Sequence, residues 1–367
     1  MKFTGKFIIL YEVFPYFTRN SQIKNRFSFI KSILFDRNCL IKFKNGINYS
    51  IDTSDYTAIL HLLAIERYSQ IFQITKNEVE ISFDGINKFF ISSNVLTKKD
   101  RLLLSLLDFG IKEGAFFIDK NHVTSIKNEK IIKIIQSEQS IIETSEGVKF
   151  FLDSIGPDSI VETFVRRIHD QYSNDLMNKV VIDVGASVGD TPLYFASKGA
   201  RVYAFEMTKT NYDRMMRNLE LNPNLSNKIT AVHAAVGKDG TIEYYQDSLE
   251  RINAIGGASF VINKYGKNSA KHTVTGMTIK TILEKFNISS VDLLKLDCKG
   301  CEFFLNEEDL RTVKRVKIEY FSYLESHKMD SLIKLLRDLN YEVILFKHLT
   351  TDISPLEKIG NILAEKM

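Results

Sequence analysis

The sequence predicts an α/β fold: a doubly wound, mostly parallel sheet over residues 136–367 with an antiparallel C-terminal edge strand, preceded by a small α+β N-terminal domain over residues 1–135. Three observations carry this. From about residue 179, continuous apolar strand runs alternate with helical stretches, which is what a parallel sheet covered on both faces requires. The first of these runs ends in a glycine turn, "DVGASVGDTP", at the place where such sheets bind ligands. Before about residue 135 the pattern is irregular instead, and 367 residues exceed what one core usually serves.

In the first 135 residues, strand-like "CLIKFKNGINYSID" and "EVEISFDGINKFFIS" alternate with helical "DYTAILHLLAIERYSQIF" and "KKDRLLLSLLDFGIKEG". Later, "KVVIDVG" reads as a buried strand, "TPLYFASKG" as a helix with a glycine stop, "RVYAFE" as a strand and "TNYDRMMRNLELN" as a helix. Next come the strand "KITAVHAAVG", an extra strand "TIEYYQ", a glycine-rich loop "IGGASF", the helix "MTIKTILEKFN" and the strand "VDLLKLDC". The chain ends with the helix "EFFLNEEDLRTV", the strand "VKIEYF", the helix "MDSLIKLLRDLN" and the strands "YEVILF" and "GNILAEKM". The short return between the last two points to an antiparallel edge pair.

Composition excludes several classes. No uncharged apolar run approaches the roughly 20 residues of a membrane span, and "FIILYEVFPYF" is too short, carries Glu12 and lacks a small-residue cleavage site. A cytoplasmic location is the default expectation. Cys39, Cys298 and Cys301 are too few for a disulfide framework, which agrees with a reducing compartment, and with seven scattered histidines no four-ligand zinc set is visible. The plain reading of Cys298 and Cys301 is two small packing residues at a strand end. Residues 1–50 hold nine Lys or Arg against Glu12 and Asp36, so the net +4 divides into +7 there and −3 elsewhere. A solvated basic face explains that asymmetry, and an anionic partner is the alternative.

The glycine turn carries the chemistry. Gly185 and Gly189 let the chain turn sharply and a ligand approach the backbone. Asp190 or Thr191 can cap the next helix, Pro192 suits its first turn, and the helix start attracts a carboxylate or phosphate. Glu206 ends the next strand, 21 residues after Gly185, where an acid grips ribose hydroxyls in nucleotide-binding sheets. A nicotinamide dinucleotide needs Gly-x-Gly-x-x-Gly, whereas Asp-x-Gly-x-x-x-Gly suits a ligand with an ammonium and a carboxylate, which favours S-adenosylmethionine. Asn or Asp followed by Pro-Pro and an aromatic, which serves amine methylation on flipped bases, is absent from "DCKG", so no specific nucleic-acid target is expected.

Through "VIDVGASVGDT", "YAFE", "GGAS", "MTIKTIL", "VDLLKLDCKGCE", "KIEY" and "GNILAE", about residues 145 to 366, the sequence resembles the FkbM family of S-adenosylmethionine-dependent methyltransferases. The resemblance implies a class I methyltransferase, Rossmann-like fold and methyl transfer to a hydroxyl of a sugar, glycan or polyketide-type acceptor. It places Asp183, Gly185, Gly189 and Asp190, with Ala186 and Thr191, at the methionine end of the cofactor. Glu206 would bind ribose with Met207 beside it, His233, Ala234 and Ala235 would border adenine, and Asp297 would face the methyl group. The cysteines of "DCKGCE" fall at variable positions of an acid motif, Asp-x-Glu-Gly-x-Glu, whose middle acid is Lys299 here. That reversal implies an anionic acceptor or a degenerate site that binds cofactor without turnover; a solvated lysine is the plain alternative.

A hydroxyl acceptor benefits from a base that takes its proton. Asp297 is the first candidate and Glu319 the second, each with a structural alternative: Asp297 as a ligand of the cofactor ammonium, Glu319 as a pairing group. His169, His233 and His327 are weaker candidates, Ser259 of the "GGAS" run is a candidate substrate contact or a plain turn residue, and no acidic cluster is specific enough for a catalytic magnesium. The competing class is a non-catalytic cofactor-binding or scaffold protein that works through its basic amino-terminal region. The acceptor, neutral or anionic, and the oligomeric state are not encoded in any motif.

Overall fold

The structure is a computed structural model that describes residues 146–170, 175–247, 269–298, 300–321, 328–346 and 359–367, with shorter stretches between residues 24 and 145. The chain divides into two compact units, residues 1–145 and 146–367. In the first unit a helix, Arg26–Phe35, precedes the antiparallel pair Cys39–Lys42 and Asn48–Ile51. Ile71–Ile74, Glu78–Ser82 and Phe89–Ser92 form a three-stranded antiparallel sheet. Phe116–Asp119, His122–Ser125, Lys130–Ile135 and Ile141–Thr144 run antiparallel in a further sheet. Most of the two helical stretches expected at 55–72 and 98–114 lies outside the described residues, and Ile71 and Phe72 at the end of the first are strand.

The second unit is built on seven strands: β1 Val180–Val184, β2 Arg201–Glu206, β3 Ile229–His233, β4 Leu293–Leu296, β5 Arg315–Phe321, β6 Tyr341–Phe346 and β7 Ile359–Lys366. Their order is β3-β2-β1-β4-β5-β7-β6, and only β7 runs against its neighbours. This is the doubly wound sheet expected, with its antiparallel pair at one edge; β7 is the inner member and β6 the outermost. The long helices are α1 Asp190–Ser197, α2 Lys209–Glu220, α3 Ile279–Lys285 and α4 Lys328–Asp338.

Alternation along the strands divides the sheet into two unlike faces. Ile182, Val184, Leu294, Leu296, Val316, Ile318, Ile362 and Ala364 share one core cluster with Ile279 and Ile282 of α3 and Leu332 and Leu336 of α4. Burying each Leu or Ile there stabilises the fold by roughly 2 kcal/mol. Three of the intervening positions on the other face are charged: Asp183 stands opposite Lys295, and Lys295 opposite Lys317.

Two segments differ from expectation. The single strand expected over "KITAVHAAVG" is broken, because Ala235–Val236 leaves β3's line and pairs with Ser269–Met277, which also pairs with Gly240–Asp247. The single helix expected over "EFFLNEEDLRTV" is a 3-10 turn, Cys301–Phe304, then a short α-helix, Glu307–Leu310. Asn306 separates them because its side chain and that of Asp309 form a capping box, which starts a new helix rather than continuing one.

Candidate active site

The parallel strands bring their carboxyl ends to one edge, and the candidate site lies where β1, β2 and β4 finish. Beyond β1, Gly185 has φ +77°, and a Cβ there would stand 2.1 Å from the carbonyl oxygen of Asp297. The turn after β1 is therefore packed backbone against backbone on the end of β4, which only glycine permits. The Gly185 and Ala186 N–H groups both donate to the Phe205 carbonyl at 3.0 Å, tying the turn to β2 as well. Asp297 donates its own N–H to the Val184 carbonyl at 3.0 Å.

The expected cap on α1 is not there. Gly189, with φ +91° and no side chain to cap with, occupies the cap position, and the two polar residues after it are drawn into the core. The Thr191 hydroxyl donates to Asp183 Oδ2 at 2.5 Å, and Asp190 Oδ2 accepts from the Thr163 hydroxyl at 2.9 Å. Burial pushes the Asp190 carboxyl up to about 6, against the opposing pull of the Lys295 charge and the Thr163 hydrogen bond.

Asp183 and Lys295 form a buried ion pair: they are 0% and 2% exposed, with Lys295 Nζ 2.8 Å from Asp183 Oδ1. Such a pair endures only if its remaining groups are bonded. Thr191 serves Asp183, and the Gly185 carbonyl lies 3.5 Å from Lys295 Nζ. Burial alone would lower the Lys295 ammonium, but Asp183, Asp297 and Asp190 outweigh it and hold its pKa above the usual lysine range. Its neighbour Lys317 goes the other way, since burial outweighs the acids Glu319, Asp297 and Glu162 and lowers it. Asp297, half-buried at the end of β4, thus faces two buried lysines.

Glu206 is also fixed. It accepts from the Ser187 N–H at 2.9 Å, the Thr208 N–H at 2.8 Å and the Thr208 hydroxyl at 2.7 Å, while burial raises its pKa. Beyond β3, His233 Nε2 lies 3.0 Å from the Met207 carbonyl and its ring packs 5.3 Å from Tyr212, with Ala234 and Ala235 buried beside it. The ends of four adjacent strands and the turns after them therefore carry Asp183, Gly185, Ala186, Gly189, Asp190, Thr191, Glu206, Met207, His233, Ala234 and Asp297.

The reading of Cys298 and Cys301 as separate packing residues is overturned: they form a disulfide, with Cα atoms 5.5 Å apart. Two cysteines in one turn need no framework of others. Glu302, fully buried, accepts from the Gly300 N–H at 2.7 Å and so belongs to the fabric of this loop. His169 is a core histidine between Tyr194 and Phe195, ring centroids 5.8 and 5.6 Å away. Glu319 is half-buried on β5, in register with Asn361 of β7, whose buried amide has no hydrogen-bond partner among the described residues. Lys299, Ser259 and His327 lie outside the described residues. Among the described residues, no helix is long and apolar enough to cross a membrane.

Residues 183–343 match the family described as the methyltransferase FkbM domain. The second unit carries an FkbM methyltransferase domain. No curated protein matches the chain. Among solved structures, methyltransferase FkbM from Methylobacillus flagellatus KT is 15% identical, over 51% of this chain and 43% of that one, with a TM-score of 0.33. SMU.1697c from Streptococcus mutans, in complex with SAH, is 15% identical over 55% of this chain and 97% of that one, with a TM-score of 0.36. An rRNA methylase from Streptococcus thermophilus is 12% identical over 55% and 96%, with a TM-score of 0.36.

S-adenosylmethionine is the cofactor of the FkbM domain, and the residues present fit it. The Gly185 turn lies close on the end of β4 with no side chain between them, Glu206 is held by three donors, and Ser187 Oγ in the same turn is buried without a partner among the described residues. The lysines were not anticipated from sequence. Their signal was there, since Lys295 interrupts the apolar "LLKL" and Lys317 the strand "RVKIEYF".

Proposed function

We infer that the FkbM domain methylates a hydroxyl of a carbohydrate-like acceptor, with Asp297 as the base. The observation that supports this most is the position of Asp297: half-buried, one residue beyond β4, against the Gly185 turn. Bound S-adenosylmethionine supplies an electrophilic methyl group on a sulfonium. Gly185, Ala186 and Ser187 would receive its methionine end, Glu206 the ribose, and Met207, His233 and Ala234 the adenine. Asp183 acts at one remove, by holding Lys295 and Thr191 under the turn. An aliphatic hydroxyl attacks poorly while it keeps its proton, so a carboxylate at Asp297 that accepts the proton as attack proceeds lowers the barrier. The Asp297 carboxylate interacts electrostatically with the two buried lysines, Lys295 and Lys317. Glu319 is the alternative acceptor of the proton, and Lys299, two residues after Asp297 in the sequence, would set the charge of acceptor taken.

Calorimetry and an acceptor panel test this. SAH should bind and NADH should not. Asp297→Asn should bind SAH as the parent does yet lose about 100-fold or more in methyl transfer to sugar hydroxyls, the span of an acid–base contribution. Full turnover in Asp297→Asn with loss in Glu319→Gln would move the base to β5. Binding without turnover on any hydroxyl acceptor would leave the scaffold reading.

A further inference from the structure

We propose that Cys298 and Cys301 are a reversible dithiol–disulfide site whose oxidation state sets cofactor affinity. The pair brackets Lys299 and Gly300, immediately after Asp297, and Asp297 is the residue whose carbonyl lies against the Gly185 turn. The cross-link thus closes the loop that forms one wall of the cofactor cradle. The two sulfurs differ in access: Cys298 is half-buried, whereas Cys301 is 2% exposed and packed in the core. An incoming thiolate therefore reaches Cys298 first.

Its attack on Cys298 Sγ forms a mixed disulfide and breaks the Cys298–Cys301 bond, releasing Cys301 as a thiolate that takes a proton. A second external thiol then displaces Cys298, so that one external disulfide forms and two protein thiols remain. Oxidation by a low-molecular-weight disulfide reverses these steps. Glu302 Oε2, 3.5 Å from Cys298 Sγ, stands ready to receive the thiol proton on reoxidation. The same three residues are the metal-capable group found among the described residues, but a bonded pair of sulfurs is not a pair of thiolate ligands.

In the oxidised chain the loop is pinned and Asp297 is held on the Gly185 turn. Reduction leaves the loop held by weaker bonds, among them Gly300 N–H to Glu302. Affinity for SAH should fall on reduction by about fivefold or more, the low end of ordinary coupling between two sites. Coupling is reciprocal, so saturating SAH should make the disulfide harder to reduce by the same factor, about 20 mV for a two-electron couple.

The test equilibrates the purified full chain in buffers of rising oxidised-to-reduced glutathione ratio, quenches, alkylates under denaturing conditions and weighs the product. With three cysteines in the chain, the reduced form carries three adducts and the oxidised form one, on Cys39. Calorimetry with SAH on both forms measures the coupling, and repeating the titration with SAH present measures its reciprocal. Cys39→Ser should keep the response; Cys298→Ser, at the more exposed position, should abolish it while far-ultraviolet dichroism stays that of the parent. Three adducts at every ratio would overturn the site. Equal SAH affinity in the two forms would overturn its control of the cofactor. The proposal rests on the cofactor assignment for this second half only: SAH binding to neither form would sink that assignment and the coupling with it, while the adduct count still judges the disulfide.

Discussion

Asp190 holds its proton more tightly in the folded chain, at about 6, than the 3.8 of a free aspartate, because burial disfavours its charge. A carboxyl raised on folding stabilises the folded state fully below its unfolded pKa and ceases to do so as pH rises through the folded value. Stability should therefore fall by about 3 kcal/mol between about pH 4 and pH 7 on account of this residue. Glu206, raised for the same reason, slopes the same way. Urea unfolding at a series of pH values checks this: Asp190→Asn, whose amide oxygen still accepts from Thr163, should flatten the slope, and an unchanged slope would clear Asp190. At this scale the glycines and acids of the cofactor edge were legible, since chain geometry demands those residue types locally. The ion pair beneath them was not, because Asp183 and Lys295 lie 112 positions apart and only the sheet register joins them.

The strands and long helices were legible because their apolar runs are continuous or their apolar faces repeat with helical period. Elements set by one side chain were harder. Asn306 accepts from the Asp309 N–H at 3.2 Å and Asp309 returns a bond to the Asn306 N–H at 3.2 Å. The Asn-x-x-Asp spacing was visible, but it lies inside a stretch of helix-forming residues and was absorbed into them. Asn306→Ala should cost about 1 kcal/mol, with Asn306→Ser keeping most of it; denaturant midpoints compare the three chains. The disulfide depended on a local bend too. Gly300 at φ +128° turns the chain so that the cysteines on either side can meet, and spacing alone does not announce such a bend.

At the scale of the whole chain, among the described residues one core cluster of the second unit takes its buried members from Ile182 to Ala364. A fragment of residues 146–367 should therefore unfold in one cooperative step and bind SAH like the full chain. Circular dichroism and calorimetry would show this, and a fragment without a cooperative transition would mean the unit relies on what precedes it. The strand order carries a further consequence. β6 reaches the sheet only through β7, which follows it in the chain and must slide between β6 and β5. A growing polypeptide thus makes β6 before anything exists for it to pair with, and β5 waits meanwhile with an open edge of unpaired amides. Synthesis and assembly run in opposite orders at this end of the sheet. A ribosome that stalls before residue 359 leaves behind a methyltransferase domain with both strands exposed, a substrate for chaperones or proteases.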